Sequence, residues 1–322
     1  MKKALSSWIL VAALASAAGI GTNAAGPAND RVFRSSVELV ALNVIVTDAR
    51  QHFVRNLQER DFVVLEDGVQ QDISFFAGGQ LPLDLILLID TSSSMGITRP
   101  IVQKAASGFL RVLRPEDRGA VLGFTRGVRV LQDLTNDVPA LRGAVARAGA
   151  YGETSLYTAL FITLRQFGKP VQHANQARRQ AIVGLTDGEE NTSGISYDDL
   201  LDEARCHGVA IYAIMLQSDE LQQREQIEGR LRPARRAMKE LARETGALAY
   251  FPKIAADLSG VYETIAAELT NQYSIAYTPR AATRNRALRQ VSIRVSSQPA
   301  LLTRTRINYV SSGPSLKMAL VR

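Results

Sequence analysis

The chain has 322 residues, of which 46% are hydrophobic and 21% are charged, a balance typical of a folded protein with room for about two domains. This composition argues against a largely disordered or fibrous chain. The single cysteine excludes an intrachain disulfide. Together with only three histidines, it argues against a zinc site built from clustered cysteine and histidine.

The net charge of +7 is unevenly distributed along the chain. Residues 280–322 contain nine arginine or lysine residues and no acid, and Lys2 and Lys3 add two more basic residues at the start. Without these two segments, 27 basic and 31 acidic residues remain. The basic character therefore belongs to the C-terminal tail, which lacks the dense basic run and the aromatic series of a nucleic-acid-binding segment. We expect no nucleic-acid partner.

Residues 1–24 are predicted to be a signal peptide. Lys2 and Lys3 form a short positive start, and residues 8–18 form an apolar stretch of 11 residues. A bilayer core needs about 20 apolar residues, so a membrane span fits less well. No later segment reaches spanning length, and we expect an exported protein in the periplasm or outside the cell. A retained N-terminal anchor helix is the alternative.

Residues 31–80 are predicted to be all-β. Residues 37–47 are β-branched and apolar, which is typical of a strand. Residues 61–76 contain two further strand-like runs on either side of Asp67 and Gly68, a pair that favours a hairpin turn. So few strands bury a sheet face poorly without a packing partner. We therefore expect this segment to pair with a second β segment elsewhere in the chain.

Residues 83–270 show a different pattern, in which short apolar runs alternate with segments of helical length. Such runs suit strands that are buried on both faces of a parallel sheet. The runs are 85–89, 120–124, 181–185, 209–216 and 247–251. The helical segments are 101–113, 141–148, 156–167, 197–207, 232–245 and about 257–269. The sequence therefore predicts an α/β fold with a doubly wound, mostly parallel sheet.

Residues 271–310 return to a period-2 pattern, with strands predicted at 272–277, 291–295 and 303–309. We expect this segment to pair with residues 31–80 in one smaller all-β domain, because chain ends of a domain often lie close together. Residues 311–322 are left as a tail.

The strand predicted at 303–309 carries the basic residues of the tail. Alternation places Arg304, Arg306 and Asn308 on one face of it. A solvated face that blocks edge-to-edge aggregation is one interpretation of these residues. Docking to an acidic envelope surface is the other, because arginine pairs well with carboxylate and phosphate.

Acidic and hydroxyl side chains follow the predicted buried strands. Asp90 ends the first run and is followed at alternate positions by Ser92 and Ser94; Asp187 follows the run at 181–185, and Thr154 precedes a helix between them. Ligands of open α/β sheets bind outside the carboxyl ends of the strands. Two carboxylates and three hydroxyls make an all-oxygen site that suits Mg²⁺ best, with Mn²⁺ and Ca²⁺ as alternatives.

Three motifs carry a family resemblance. Asp-x-Ser-x-Ser at 90–94, Gly-x-Thr-x-Leu at 152–156 and Thr-Asp-Gly at 186–188 resemble the von Willebrand factor A domain over about residues 83–270. In that family these motifs form the metal ion-dependent adhesion site. Over its wider length, the chain resembles the bacterial proteins related to this family that are common in Acidobacteria. The flanking stretches that carry this similarity are 61–68 and 272–279.

The resemblance implies roles for five residues. Ser92, Ser94 and Thr154 would bind the metal through their hydroxyls, and Asp90 and Asp187 would bind it directly or through water. A vacant position would then accept a carboxylate from a protein partner. The implied function is an exported, metal-dependent binding or adhesion module.

Two other functions compete with this interpretation. One is a structural envelope protein whose metal only stabilises the loops. The other is a metal-dependent hydrolase or phosphotransferase. The sequence has no Gly-x-Ser-x-Gly elbow and no Walker loop, and Ser92 stands where phosphotransferases of the haloacid dehalogenase type have an aspartate. We therefore expect no catalytic residue and no enzyme activity.

Overall fold

The structure is a computed structural model, and its described residues all belong to one folded unit, Ser36–Arg322. The predicted signal peptide, 1–24, lies outside the described residues, as does the predicted tail except for Ser311. The described residues are 39–79, 81–149, 152–167, 178–187, 192–216, 231–280 and 287–311.

Four strands precede the central sheet. They are β1 (Val40–Thr47), β2 (Phe62–Glu66), β3 (Val69–Gln71) and β4 (Ile73–Gly78). The turn at Asp67 and Gly68 joins β2 to β3, and both residues have positive φ, 47° and 81°, as a two-residue hairpin turn requires. The prediction of two strands in this stretch is wrong, since the second run divides at the exposed Asp72. Its first part stays in the hairpin, while β4 joins another sheet.

The central sheet has six strands. They are β5 (Leu83–Asp90), β6 (Arg118–Phe124), β7 (Val128–Thr135), β8 (Arg179–Thr186), β9 (Ala210–Met215) and β10 (Ala249–Tyr250). Their order is β10-β9-β8-β5-β6-β7, and every neighbouring pair is parallel except β6 and β7. All eight residues of β5 are buried, as expected for the middle of a sheet covered on both faces.

Helices cover both faces of this sheet. They are α1 (Arg99–Phe109), α2 (Val138–Arg147), α3 (Leu156–Phe167), α4 (Tyr197–Cys206), α5 (Leu231–Glu244) and α6 (Leu258–Thr270). Leu85 and Leu87 of β5 point to the face that α1, α2 and α6 cover, and Ile86 and Leu88 point to the face under α3, α4 and α5. This alternation buries one apolar core on each side of the sheet.

Four strands follow the central domain. They are β11 (Tyr273–Tyr277), β12 (Leu288–Val295), β13 (Leu302–Arg304) and β14 (Asn308–Val310). They pair with the first four strands in two antiparallel sheets, ordered β13-β1-β11-β4 and β14-β12-β2-β3. Leu42 lies opposite Ile275 in one sheet and Val64 lies opposite Ile293 in the other, and these side chains share one apolar core. Neither segment could bury that core alone.

The fold class predicted from the sequence is confirmed: a doubly wound, mostly parallel sheet with a smaller all-β part built from both flanking segments. The domain boundaries proposed at 83–270 and 271–310 stay predictions. Among the described residues, no helix combines the length and the apolar character that crossing a membrane would require.

The single strand predicted at 303–309 is wrong. The chain leaves one sheet after Arg304 and enters the other at Asn308, so the side chains of this stretch do not share one solvated face. Residues 305–307 cross between the two sheets and contact the α/β domain, where the N–H of Ile307 donates to the carbonyl of Glu244 at 3.2 Å.

Arg304 and Arg306 therefore do not form the basic docking face that alternation predicts. Arg304 pairs with the buried Glu268 at 2.6 Å and donates to the carbonyl of Gly246 at 2.9 Å. Arg306 donates to the carbonyl of Arg205 at 2.6 Å, and burial lowers the pKa of its guanidinium to about 10. Both side chains therefore join the C-terminal β segment to the α/β domain through charge-assisted hydrogen bonds. The hypothesis that these two arginines dock to an acidic envelope surface is wrong, because both are engaged inside the protein.

Candidate functional site

Asp90 is the last residue of β5, the strand in the middle of the sheet, and only 2% of it is exposed. One carboxylate oxygen accepts the N–H of Ser92 at 2.8 Å. The other oxygen accepts the hydroxyl of Thr186, at the end of neighbouring β8, also at 2.8 Å. These two bonds fix the carboxylate at the carboxyl edge of two adjacent strands. Both donors are uncharged, so neither one neutralises its charge.

Ser92 is the N-cap residue of a short 3-10 turn, Ser93–Gly96, which contains Ser94. The hydroxyls of Ser92 and Ser94 lie 2.9 Å apart and share a hydrogen bond. Ser92 is buried, Ser94 is exposed, and the buried Met95 anchors the turn in the core. The spacing of Ser92 and Ser94 thus brings their two hydroxyls together. They lie beside Asp90, whose carboxylate accepts the Ser92 N–H.

Thr154 reaches the same edge through a link between two loops. The N–H of Ser93 donates to the carbonyl of Gly152, and the N–H of Gly152 donates to the hydroxyl of Ser93, both at 3.1 Å. Gly152 has a φ of +90°, which few other residues adopt readily. The N–H of Ser155 donates to the carbonyl of Thr125, just after β6, at 2.9 Å. Thr154 is held between these bonds with 1% of its surface exposed.

Asp187 directly follows β8 and is 6% exposed. Its charge acts on Asp90: burial first and then repulsion by Asp187 raise the pKa of Asp90 to about 6. The structure therefore places two acids close enough to repel each other in a poorly solvated position. Among the described residues, no three acid, histidine or cysteine side chains converge as a metal-binding group. A cation at this edge would thus need hydroxyl ligands as well as carboxylates.

The structure places all five predicted site residues at one edge of the sheet. It also adds two residues that the motifs do not contain. Thr192 bonds the Ser155 hydroxyl at 2.7 Å and the Thr154 carbonyl at 3.2 Å, and the hydroxyl of Ser193 accepts the N–H of Thr158 at 3.2 Å. They join the Thr154 loop to the segment before α4. No periodic pattern marks them, and their only sequence signal is a short polar stretch ahead of a helix.

The rim of this edge carries exposed side chains of two kinds. Ile97, three residues after Ser94, is 93% exposed, and Ile101 on α1 is 45% exposed. Just after the carboxyl end of β6, the exposed Arg126 donates from its Nε to the Glu153 carboxylate at 2.9 Å. Exposed apolar and charged groups therefore lie at the same edge of the sheet as the five residues.

Comparison with known proteins identifies one family. The model of the von Willebrand factor type A domain matches residues 84–245. No curated protein matches the chain significantly.

Several solved structures are similar to this chain. A von Willebrand factor type A protein from Catenulispora acidiphila is 13% identical, with a TM-score of 0.47, over 86% of this chain and 75% of that chain. The protein BatB from Bacteroides thetaiotaomicron is 13% identical, with a TM-score of 0.46, over 58% and 97%. The von Willebrand factor domain of the type V pili tip protein Mfa5 from Porphyromonas gingivalis is 14% identical, with a TM-score of 0.45, over 58% and 94%.

Proposed function

Because the chain belongs to the von Willebrand factor type A domain family over residues 84–245, we propose that its site edge is a divalent-cation site that binds an acidic residue of a protein partner. Domains of this family commonly mediate protein interaction or adhesion. The protein is then an exported binding module, periplasmic or extracellular, and not an enzyme. Export is supported by the sequence of residues 1–24 alone.

The residues at the edge suit a hard cation. Asp90 and Asp187 offer carboxylates and Ser92, Ser94 and Thr154 offer hydroxyls, so every donor is oxygen. Mg²⁺ fits this set best, and Mn²⁺ and Ca²⁺ are alternatives. When bound, the cation would supply a positive, Lewis-acidic contact for an incoming carboxylate. Two carboxylates would balance its charge of about +2 while the neutral hydroxyls leave it attractive to a third acid.

One observation carries the proposal: a buried carboxylate is held by uncharged donors beside a second buried acid. Asp90 accepts hydrogen bonds from the Ser92 amide and the Thr186 hydroxyl, and burial and then the charge of Asp187 raise its pKa. Burying like charges together costs free energy that a purely structural loop would avoid. A divalent cation would offset that cost.

The exposed rim supports a protein rather than a small molecule as partner. Ile97 leaves 93% of its surface in water in the same loop as Ser92 and Ser94. Burial of this side chain against a protein partner would add apolar stabilisation to the contact at the cation. The partner would thus place its acid on the cation and an apolar group against Ile97.

Calorimetry tests the cation site. Titration of Mg²⁺ and Mn²⁺ into the wild type should show binding that Asp90→Asn abolishes. Asp84→Asn is the matched control: it makes the same chemical change at the opposite end of β5, where Asp84 is also buried. It should keep cation binding. Unchanged binding in Asp90→Asn would contradict the assignment.

Capture from an envelope extract separates an interaction module from a structural protein. Wild-type bait in Mg²⁺ should retain a partner that chelator, Asp90→Asn and Ile97→Ser each release. Ile97→Ser should leave the calorimetric cation binding intact, because the side chain points into solvent. If chelator lowers the stability of the bait but releases nothing, the metal is structural and the proposed function fails.

A further inference from the structure

A cavity of about 270 Å³ opens beside the proposed cation site. It lies between the β6–β7 hairpin, the C-terminal end of α2 and Thr91, the residue next to Asp90. This volume is below the range of about 300–1,000 Å³ that is usual for pockets of drug-sized ligands, so the cavity suits a side chain. Nine of the described residues line it: Thr91, Gly123, Thr125, Gly127, Val128, Arg129, Leu131, Arg147 and Gly149.

Small residues keep this space open. Three of the nine lining residues are glycines, and a Cβ on Gly123 would lie 3.1 Å from Cγ2 of Thr91 and 3.4 Å from Cδ1 of Leu131. The hydroxyl of Thr91 donates to the carbonyl of Phe124 at 2.9 Å, which holds that side chain against the floor. The glycines and the fixed Thr91 side chain therefore maintain the cavity as part of the fold.

Among the described residues, the lining of the cavity is opposite in charge to the cation-site residues. Its lining contains Arg129 of β7 and Arg147, the last residue of α2, while none of the nine residues is acidic. Arg147 donates from Nη2 to the carbonyl of Leu131 at 3.4 Å, which places its guanidinium against the wall. A guanidinium has five donors, so this bond leaves donors for a ligand. Guanidinium groups bind carboxylates through short, charge-assisted hydrogen bonds.

We propose that this cavity receives a second carboxylate of the partner, so that the partner is a segment with two or more acidic residues. One acid would meet the cation, and another would meet Arg129 and Arg147. The inference rests on the proposed function, since it assigns the chemistry of the partner for the same edge. It goes beyond that function by giving the partner two separate contacts. The contact with the arginines does not depend on the metal.

A labelled acidic peptide tests the proposal. Fluorescence anisotropy would follow the binding of fluorescein-labelled decaglutamate to the full chain in Mg²⁺ and in chelator, at low salt. The cavity variant is Arg129→Gln with Arg147→Gln. The matched control is Arg111→Gln with Arg142→Gln, which removes the same charge at exposed positions of the α/β domain outside the cavity.

The cavity variant should bind decaglutamate at least tenfold more weakly than the wild type in Mg²⁺, and the control should stay within about threefold. Chelator should weaken the wild type separately, and the cavity variant in chelator should show the weakest binding. A cavity variant that binds like the control overturns the proposal even where binding depends on Mg²⁺. If chelator and Asp90→Asn change nothing while the cavity variant still loses binding, the cation-site function fails and the arginine contact stands.

Discussion

Replacing Asp90 with asparagine should stabilise the metal-free protein at neutral pH. The folded state raises the pKa of Asp90 from 3.8 to about 6, through burial and through Asp187. The folded protein therefore binds the proton more tightly than the unfolded chain. The free energy of unfolding falls as pH rises through this interval and is lowest above it. A difference of about 2 pKa units corresponds to about 3 kcal/mol lost by the wild type above pH 6.

Asparagine removes this loss because it cannot ionise. Its side-chain oxygen can still accept the Ser92 N–H, but its amide nitrogen cannot accept the Thr186 hydroxyl, which costs about 1 kcal/mol. Metal-free Asp90→Asn should then be less stable than the wild type by about 0.5 kcal/mol at pH 4, where part of the loss has already set in. It should be more stable by about 2 kcal/mol at pH 8.

Urea unfolding in chelator between pH 4 and pH 8 measures this difference. Asp84→Asn is the control, because Asp84 pairs with Arg118 and Arg178, each at 2.7 Å, and its replacement should destabilise the protein at pH 8. Saturating Mg²⁺ should reverse the order, since only the wild type gains stability by binding it. A difference between wild type and Asp90→Asn that does not change with pH would refute the reasoning.

Three further predictions concern the scaffold. Gly246→Ala should destabilise by about 3 kcal/mol or more in thermal unfolding, because φ is +81° there and a Cβ would lie 2.6 Å from a backbone nitrogen of the C-terminal segment. Arg304→Gln should cost about 3 kcal/mol in urea unfolding, since it leaves the buried Glu268 without its 2.6 Å ion pair. Tyr277→Phe should cost about 2 kcal/mol in the same assay, because the Tyr277 hydroxyl donates to the buried Glu66 at 2.7 Å.

Controls keep these predictions specific. Gly194→Ala should be nearly neutral, because a Cβ there meets nothing within 4 Å. Arg294→Gln removes an exposed arginine from β12 and should cost far less than Arg304→Gln. Equal costs for either control and its test variant would contradict the packing argument. A Tyr277→Phe protein as stable as the wild type would show that the hydroxyl of Tyr309, 2.9 Å from the same Glu66 oxygen, suffices.

The fold was predictable where a buried strand or a tight turn requires particular residue types. The apolar runs behind β5, β8 and β9 reflect strands covered on both faces, and the Asp67-Gly68 pair marks the hairpin turn. Strand β7 escaped detection because it lies at the edge of the sheet, and its residues mix polar and apolar side chains without alternating. The break after Arg304 was also invisible, since alternation continues while the chain passes from one sheet to the other.

The position of the candidate residues at strand ends was predictable from the sequence, but their electrostatics were not. Spacing placed Asp90, Ser92 and Ser94 on one loop at a strand end, where α/β sheets bind ligands. The raised pKa of Asp90 depends on burial and on Asp187, which only the folded chain brings near. The cross-link between Ser93 and Gly152 joins two distant loops, and nothing local in the sequence distinguishes Ser93 from its neighbours.

Crystals grown with Mn²⁺ test the central claim most directly, by anomalous diffraction at the manganese edge. We expect one strong peak at the carboxyl edge of β5 and β8, within about 2.5 Å of the hydroxyl oxygens of Ser92 and Ser94. The Asp90 carboxylate should either bind the metal at the same distance or contact it through a bridging water. Thr154 and Asp187 should complete the set. Ordered loops with no peak at this edge, at an Mn²⁺ concentration that gives peaks elsewhere, would contradict the account.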